Sequence, residues 1–268
     1  MSEIQVIAID LDGTLLNKEL KISERTKIIL QELRSSGKNI VLCSGRPYNG
    51  LIRYISELGL DGRDYTISYN GSLVQTCNGE TILHQASLSP ADFYHLSLFF
   101  AQYGLGIHAM TMDKMYTYNR SIHPLTVRES YLGNLPITVL EDGQYVREPI
   151  IKIMAVGAPE KLDKVMVFIP KHFGNLFSLN KSESFYLEIM QKGDNKATAL
   201  NLLLKELKLS PESLIAFGNN QNDMEMIELA KVGVAVGNAV TELKEKSDFV
   251  TDTNDNDGVA HFLENYCV

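Results

Sequence analysis

Asp10-Leu11-Asp12-Gly13-Thr14 sets two carboxylates one residue apart beside a glycine and a hydroxyl, directly after the apolar run Ile4-Gln5-Val6-Ile7-Ala8-Ile9. Two carboxylates so spaced cannot both enter an apolar core without a large desolvation cost. Asp-Gly alone is a common turn signal, but the full pattern after an apolar strand points to a site at the strand's carboxyl end, where open α/β sheets bind ligands. Ser44, in Leu42-Cys43-Ser44-Gly45-Arg46-Pro47, offers a hydroxyl and neighbouring backbone N–H groups suited to a phosphoryl oxygen; the competing reading is a simple Ser-Gly turn. Lys196, in Lys192-Gly193-Asp194-Asn195-Lys196, stands at a helix start, where a solvated cation is the ordinary fate of a lysine. Gly218-Asn219-Asn220-Gln221-Asn222-Asp223 gathers amides and a carboxylate after another apolar run. Asn70-Gly71 is a strong turn signal that also stands at a strand end.

Those residues need strands to carry them. Ile4–Ile9, Asn39–Cys43 and Tyr65–Tyr69 read as buried strands, separated by a helix capped at Ser23 with Ile28, Ile29 and Leu33 on one face, and by a helix over Tyr48–Leu58. The chain's end repeats this alternation: a helix over Lys196–Leu207, Ser210 as N-cap of a short turn, a strand at Leu214–Phe217, a helix at Asp223–Ala230, and a strand at Gly233–Val236. Helices follow over Ala239–Lys246 and Val259–Tyr266, around an edge strand at Phe249-Val250. Strand–helix alternation predicts a parallel sheet with right-handed crossovers. The middle reads differently: a capped helix from Ser89, a hairpin of Ile107–Thr111 and Met115–Tyr118, a strand at Ile150–Val156, a helix at Glu160–Pro170, and a hairpin of Leu176–Asn180 and Phe185–Met190.

The 268 residues suit one to two domains. The expected architecture is α/β, a doubly wound, mostly parallel Rossmann-like core formed by 1–83 and 191–268, with an α+β cap over 84–190. A 44% apolar and 22% charged composition fits a packed protein. The net charge of −8 argues against a nucleic-acid or membrane-surface partner, though not against a phosphate ligand held by a few local cations. Cys43, Cys77 and Cys267 are too few and too scattered for a disulfide framework. Met1–Ala8 lacks the features of a signal peptide, and no apolar run could span a bilayer, so the expected location is the cytoplasm. Gly104-Leu105-Gly106 imitates a dinucleotide fingerprint but opens a strand instead of following one. The six histidines show no metal-ligand spacing. Met110, Met112, Met115, Tyr116 and Tyr118 suit either core packing or a substrate pocket.

Taken together, the segments resemble the haloacid dehalogenase-like superfamily of phosphotransferases, in its Cof-type branch. Asp-x-Asp-Gly-Thr matches the first motif, Ser-Gly-Arg the second, Lys-Gly-x-x-Lys the third and Gly-Asn-x-x-Asn-Asp nearly the fourth. The resemblance implies a phosphatase of small phosphomonoesters, sugar phosphates or related metabolites. Asp10 would be the nucleophile that forms an aspartyl-phosphate, and Asp12 the acid and base. Lys196 would be the catalytic cation, and Thr14, Ser44, Arg46, Asn70 and Asn222 would lie about the substrate. Mg²⁺ would be held by Asp10, the Asp12 carbonyl, Asn219 and Asp223. Asn219 departs from the family's usual Asp, removing one negative charge from the metal site. A phosphosugar mutase, and a weakly active phosphometabolite-binding protein, remain the alternatives; the oligomeric state is not legible.

Overall fold

The computed structural model of the chain describes residues 4–267. The first stretch runs β1 (Val6–Asp10), α1 (Glu24–Ser35), β2 (Asn39–Cys43), α2 (Ile52–Leu58), β3 (Tyr65–Ser68), β4 (Leu73–Thr76) and β5 (Ile82–Gln85). The middle holds α3 (Pro90–Ala101), β6 (Gly106–Met110), β7 (Met115–Thr117), α4 (Pro124–Gly133), β8 (Ile137–Val139), β9 (Lys152–Val156), α5 (Pro159–Phe173), β10 (Phe177–Asn180) and β11 (Tyr186–Gln191). The last stretch holds α6 (Lys196–Glu206), β12 (Leu214–Gly218), α7 (Met224–Leu229), β13 (Val232–Ala235), α8 (Thr241–Lys246), β14 (Phe249–Val250) and α9 (Gly258–Tyr266). They form two compact units. One takes residues 4–45, Leu51–His84 and 195–267; the other takes Gln85–Asp194 together with Arg46–Gly50.

The first unit is α/β. Its eight-stranded sheet has the order β14-β13-β12-β1-β2-β3-β4-β5. From β14 to β3 all neighbours are parallel, and β4 returns antiparallel to β3. Every residue of β1 and β12 is buried. Since successive side chains point to opposite faces, both faces of the sheet centre are covered. The chain leaves β1 toward β2 and returns later to β12 on the other side. The carboxyl end of β1 is therefore the topological switch point.

Local chemistry explains most of the elements. Ser23 caps α1 by accepting the Thr26 N–H, and Ile29, Leu30 and Leu33 are buried beneath it. Ile28, expected on that face, is 55% exposed; it stands one residue, about 100°, off the Ile29–Leu33 stripe. Ser210 makes no side-chain cap to the single 3-10 turn it precedes, Pro211–Ser213. β4 and β5 were not foreseen. The Asn-Gly turn was, yet β4 is only four residues and follows it at once.

The second unit is an α+β layer with sheet order β10-β11-β9-β6-β7-β8. Its pairs are antiparallel except β7 with β8. One face carries Ile107, Ala109, Ile153, Ala155, Leu187 and Ile189, packed with Phe93, Leu96 and Phe100 of α3 and Leu162, Val165 and Ile169 of α5. The alternating residues form the other face, and there Lys152 and Glu188 are buried as an ion pair at 2.9 Å. Gly106 opens β6 where a Cβ would press on Val156 and His123, so that glycine serves packing. α4 and β8 were not anticipated: α4 has little amphipathic periodicity and starts behind a histidine cap, His123, and β8 has three residues.

Removing one member of the Lys152–Glu188 pair leaves a buried charge uncompensated. Lys152→Met is expected to lower stability by roughly 3–5 kcal/mol in urea unfolding, and adding Glu188→Leu should recover most of the loss.

Candidate functional site

β1 delivers Asp10 to the switch point, with Cys43 of β2 opposite it in register. The turn that follows is pinned from both sides. Leu15 N–H donates to the Asp10 carbonyl at 3.2 Å and Leu16 N–H to the Leu11 carbonyl at 2.9 Å. Leu11, Leu15 and Leu16 are buried, so the turn is held by its own leucines. Gly13 sits at φ +79°, in the region that favours glycine. The two carboxylates separate: Asp10 is 5% exposed, whereas Asp12 lies at the surface.

Lys196 is the first residue of α6 and is 1% exposed. Its backbone is fixed by a reciprocal cap in which the Asn195 side chain accepts the Thr198 N–H and the Thr198 hydroxyl accepts the Asn195 N–H. Lys196 Nζ donates to Asp10 Oδ1 and to Asp223 Oδ1, each at 2.6 Å. Asp223 is fully buried; its Oδ2 accepts the N–H groups of Asn219 and Asn220 at 2.9 and 3.0 Å. Gly218 lets that carboxylate fold back, since a Cβ there would collide with the Asp223 side chain.

These contacts set the charges. Burial, then repulsion from Asp223, pushes the Asp10 carboxyl up to about 7, against the opposing pull of Lys196. Burial pulls the Lys196 ammonium down, but Asp10 and Asp223 outweigh it and hold the group well above the ordinary lysine value. Burial pushes the Cys43 thiol up to about 12, so it remains a neutral neighbour.

The remaining expected residues fall into two groups. Thr14 is buried at the turn, and its hydroxyl has no hydrogen-bond partner among the described residues. Ser44 is buried; its N–H donates to the Ile67 carbonyl and its carbonyl accepts the Asn70 N–H. Asn222 Nδ2 donates to Asn70 Oδ1 at 3.0 Å, which joins the loops after β3 and β12. Asn70, Asn222 and Ser44 thus belong to the unit that holds Asp10. Arg46 groups with the other unit, in the segment Arg46–Gly50. Lys192, the first lysine of the same segment, donates to Asn175 Oδ1 on the second unit's surface.

Among the described residues no three His, Cys, Asp or Glu side chains are arranged to hold a metal ion. The oxygens that do suit a hard cation are mixed in kind: the Asp10 carboxylate, the Asp12 main-chain carbonyl and the Asn219 amide. Asn219 lies over Gly13, where a Cβ would collide with its Nδ2. By donor type that set would suit a hard cation such as Mg²⁺, with less charge than a set of carboxylates would bring. Asp223 was also expected as a ligand; its Oδ1 accepts from Lys196 and its Oδ2 from the N–H groups of Asn219 and Asn220.

Sequence reasoning missed Asn238 and Asn254. Asn238 Nδ2 donates to the Gly13 carbonyl at 2.8 Å, and Asn254 Nδ2 to the Leu16 carbonyl at 2.7 Å. The available signal was Gly237-Asn238 at the end of an apolar strand, a turn pair much like Asn70-Gly71.

A profile describing haloacid dehalogenase-like hydrolases matches residues 7–263. YxeH of Bacillus subtilis (strain 168), provisionally named a phosphatase, is 36% identical over 97% of each chain. YitU of the same organism, named a 5-amino-6-(5-phospho-D-ribitylamino)uracil phosphatase, is 26% identical over 97% of each chain. The crystal structure of a haloacid dehalogenase-like hydrolase from Bacteroides thetaiotaomicron superposes with a TM-score of 0.89 at 30% identity, covering 98% of this chain and 99% of that one.

The raised Asp10 carboxyl has a measurable consequence for stability. Between its unfolded value near 3.8 and its folded value of about 7, the native state holds a proton that the unfolded state releases. Stability therefore falls as pH rises through that window. Asp10→Asn lacks this ionisation. In urea unfolding without divalent metal, its stability relative to the unsubstituted chain should increase by roughly 2–3 kcal/mol between pH 5 and pH 8.

Proposed function

The chain belongs to the haloacid dehalogenase-like hydrolase family, and on that footing we propose that it is a Mg²⁺-dependent phosphatase of small phosphomonoesters acting through an aspartyl-phosphate on Asp10. The observation that carries this reading is Lys196 Nζ, buried and bonded at 2.6 Å to both Asp10 and Asp223 at the carboxyl end of the sheet's central strand. A carboxylate held there by a fixed cation supports a nucleophile's role, and the exposure of Asp12 beside it supports an acid–base role.

The reaction balances in two steps. The Asp10 carboxylate attacks phosphorus, the bond from phosphorus to the ester oxygen breaks, and Asp12 gives its proton to the leaving alkoxide. Asp12 then takes a proton from water, whose oxygen attacks phosphorus; phosphate leaves and the Asp10 carboxylate is restored. Lys196 holds the nucleophile in place and balances the charge of the phosphoryl group. The Thr14 and Ser44 hydroxyls and the backbone N–H groups near Gly45 bind phosphoryl oxygens. Asn70 and Asn222, bonded to each other, steady the loops around them. Asp10, the Asp12 carbonyl and Asn219, with Asp223 beside them, would hold Mg²⁺, which when bound would neutralise charge on the transferring group.

The substrate class is a small phosphorylated metabolite, sugar phosphates foremost. A relative named for a phosphoribityl compound supports this. A net charge of −8 counts against nucleic acid and anionic membranes as partners. Among the described residues no helix is long and apolar enough to cross a membrane, and the cytoplasm is the proposed location. The neutral Asn219 favours one second reading, a weakly active phosphometabolite-binding protein.

Inorganic phosphate release from an aryl phosphate and from a panel of phosphorylated sugars tests the proposal. Turnover should require Mg²⁺, and Asp10→Asn should lower kcat by about 10³-fold or more. Turnover unaffected by Asp10→Asn would overturn the mechanism, and no turnover on any ester would favour the binding reading. Return of phosphate to a second position of the sugar, without release, would make the protein a mutase. Asn219→Asp restores a carboxylate and should lower the Mg²⁺ concentration for half activity by about five- to tenfold.

A further inference from the structure

The turn between β13 and α8 touches both loops that carry the non-nucleophile oxygens of the proposed cation site. Its backbone brackets Asn219: Val236 N–H donates to the Gly218 carbonyl at 3.1 Å, and Val240 N–H to the Asn219 carbonyl at 2.9 Å. Its side chain Asn238 reaches across to donate to the Gly13 carbonyl at 2.8 Å. Asn238 is itself held, because its Oδ1 accepts the Asn254 N–H at 3.0 Å. The turn is fixed from behind as well. Gly237 N–H donates to the Asp252 carbonyl at 3.0 Å, and a Cβ on Gly237 would press on the backbone of Thr251, Asp252 and Thr253.

We propose that Asn238 is a positioning residue, which orients the Asp12–Gly13 peptide against Asn219 and so sets the oxygen spacing that receives the cation. The inference rests on the Mg²⁺-dependent reading of the site. The Asp12 carbonyl and the Gly13 carbonyl lie in successive peptide planes hinged only at the Gly13 α-carbon. Glycine is the least restrictive hinge available, and at φ +79° Gly13 has no side chain to hold it. Holding the second plane through Asn238 leaves the first only the Gly13 torsions in which to move. The constraint matters more here than it would beside a carboxylate. With a neutral amide at 219, cation affinity leans less on charge and more on oxygens already in place.

Calorimetric titration of Mg²⁺ into the full chain reads the effect directly, with kinetics of aryl phosphate hydrolysis alongside. Asn238→Ala should raise the Mg²⁺ dissociation constant about five- to tenfold, the worth of one well-placed hydrogen bond. At saturating Mg²⁺ its KM and kcat should stay within about twofold of the unsubstituted chain. Asn254→Ala, which cuts the bond to Leu16 but leaves Asn238 on Gly13, should bind Mg²⁺ with an affinity within about twofold. Melting temperature without Mg²⁺ monitors folding. If Asn238→Ala fails to fold, Asn238→Ser replaces it, since the shorter hydroxyl cannot span to the Gly13 carbonyl. Unchanged Mg²⁺ affinity in the Asn238 variant, or equal weakening in both variants, would overturn the assignment while leaving the phosphatase reading intact. An unsubstituted chain that neither binds nor needs Mg²⁺ would instead overturn the reading beneath it.

Discussion

A lysine ammonium out of water, at the start of a helix, is the costliest single feature of the first unit. Lys196 is 1% exposed, and the first turn of α6 presents N–H groups that repel a cation. Two carboxylates at 2.6 Å make its burial tenable. Each must therefore be brought to it by a different element: Asp10 by β1, and Asp223 by the turn after β12. The requirement is mutual, because Asp10 and Asp223 repel each other without the cation between them. The sheet centre, the capping of α6 and the glycine at 218 are all needed for this three-membered contact.

The same contact divides the Asp-Leu-Asp segment. Period-two alternation would put Asp10 and Asp12 on one side of a continuing strand. The chain instead turns at once, closed by Leu15 and Leu16 on the carbonyls of Asp10 and Leu11. One carboxylate is left buried against Lys196 and the other at the surface. Two identical side chains then sit in different environments, one buried against a lysine and one at the surface.

How much of this was legible depended on how local the signal was. Asp10, Ser44 and Lys196 stood at strand ends and a helix start, and apolar runs of five or six residues mark such places. Ser23 and Ser89 were readable as caps because a cap is a bond within three residues. The strands β4 and β8, of four and three residues, had too few positions to show alternation. Ile28 was misplaced because a run of two isoleucines does not say which one faces inward. Gly237-Asn238 signalled only a turn, and what Asn238 does there was not legible because its partner, Gly13, lies 225 residues away. No spacing rule connects an asparagine near one end of a chain to a glycine carbonyl near the other. Arg46 follows Ser44 closely in sequence, yet the boundary between the units falls between Gly45 and Arg46.

The neutral residue at 219 is best understood through the charge already present. Asp10 and Asp223 carry two negative charges against the single positive charge of Lys196, and burial together with Asp223 pushes the Asp10 carboxyl up to about 7. A third carboxylate over Gly13 would press further on a group that is already reluctant to ionise. An amide there keeps an oxygen for a cation without adding to that repulsion when no cation is bound. On the Mg²⁺-dependent reading proposed above, the exchange would be weaker electrostatic attraction for the metal in return for less repulsion in the metal-free site. On that reading, the hydrogen bonds to the Gly13 carbonyl and to the backbone around Asn219 would carry more of the task of keeping the oxygens aligned, because geometry is the contribution that remains when charge is withdrawn.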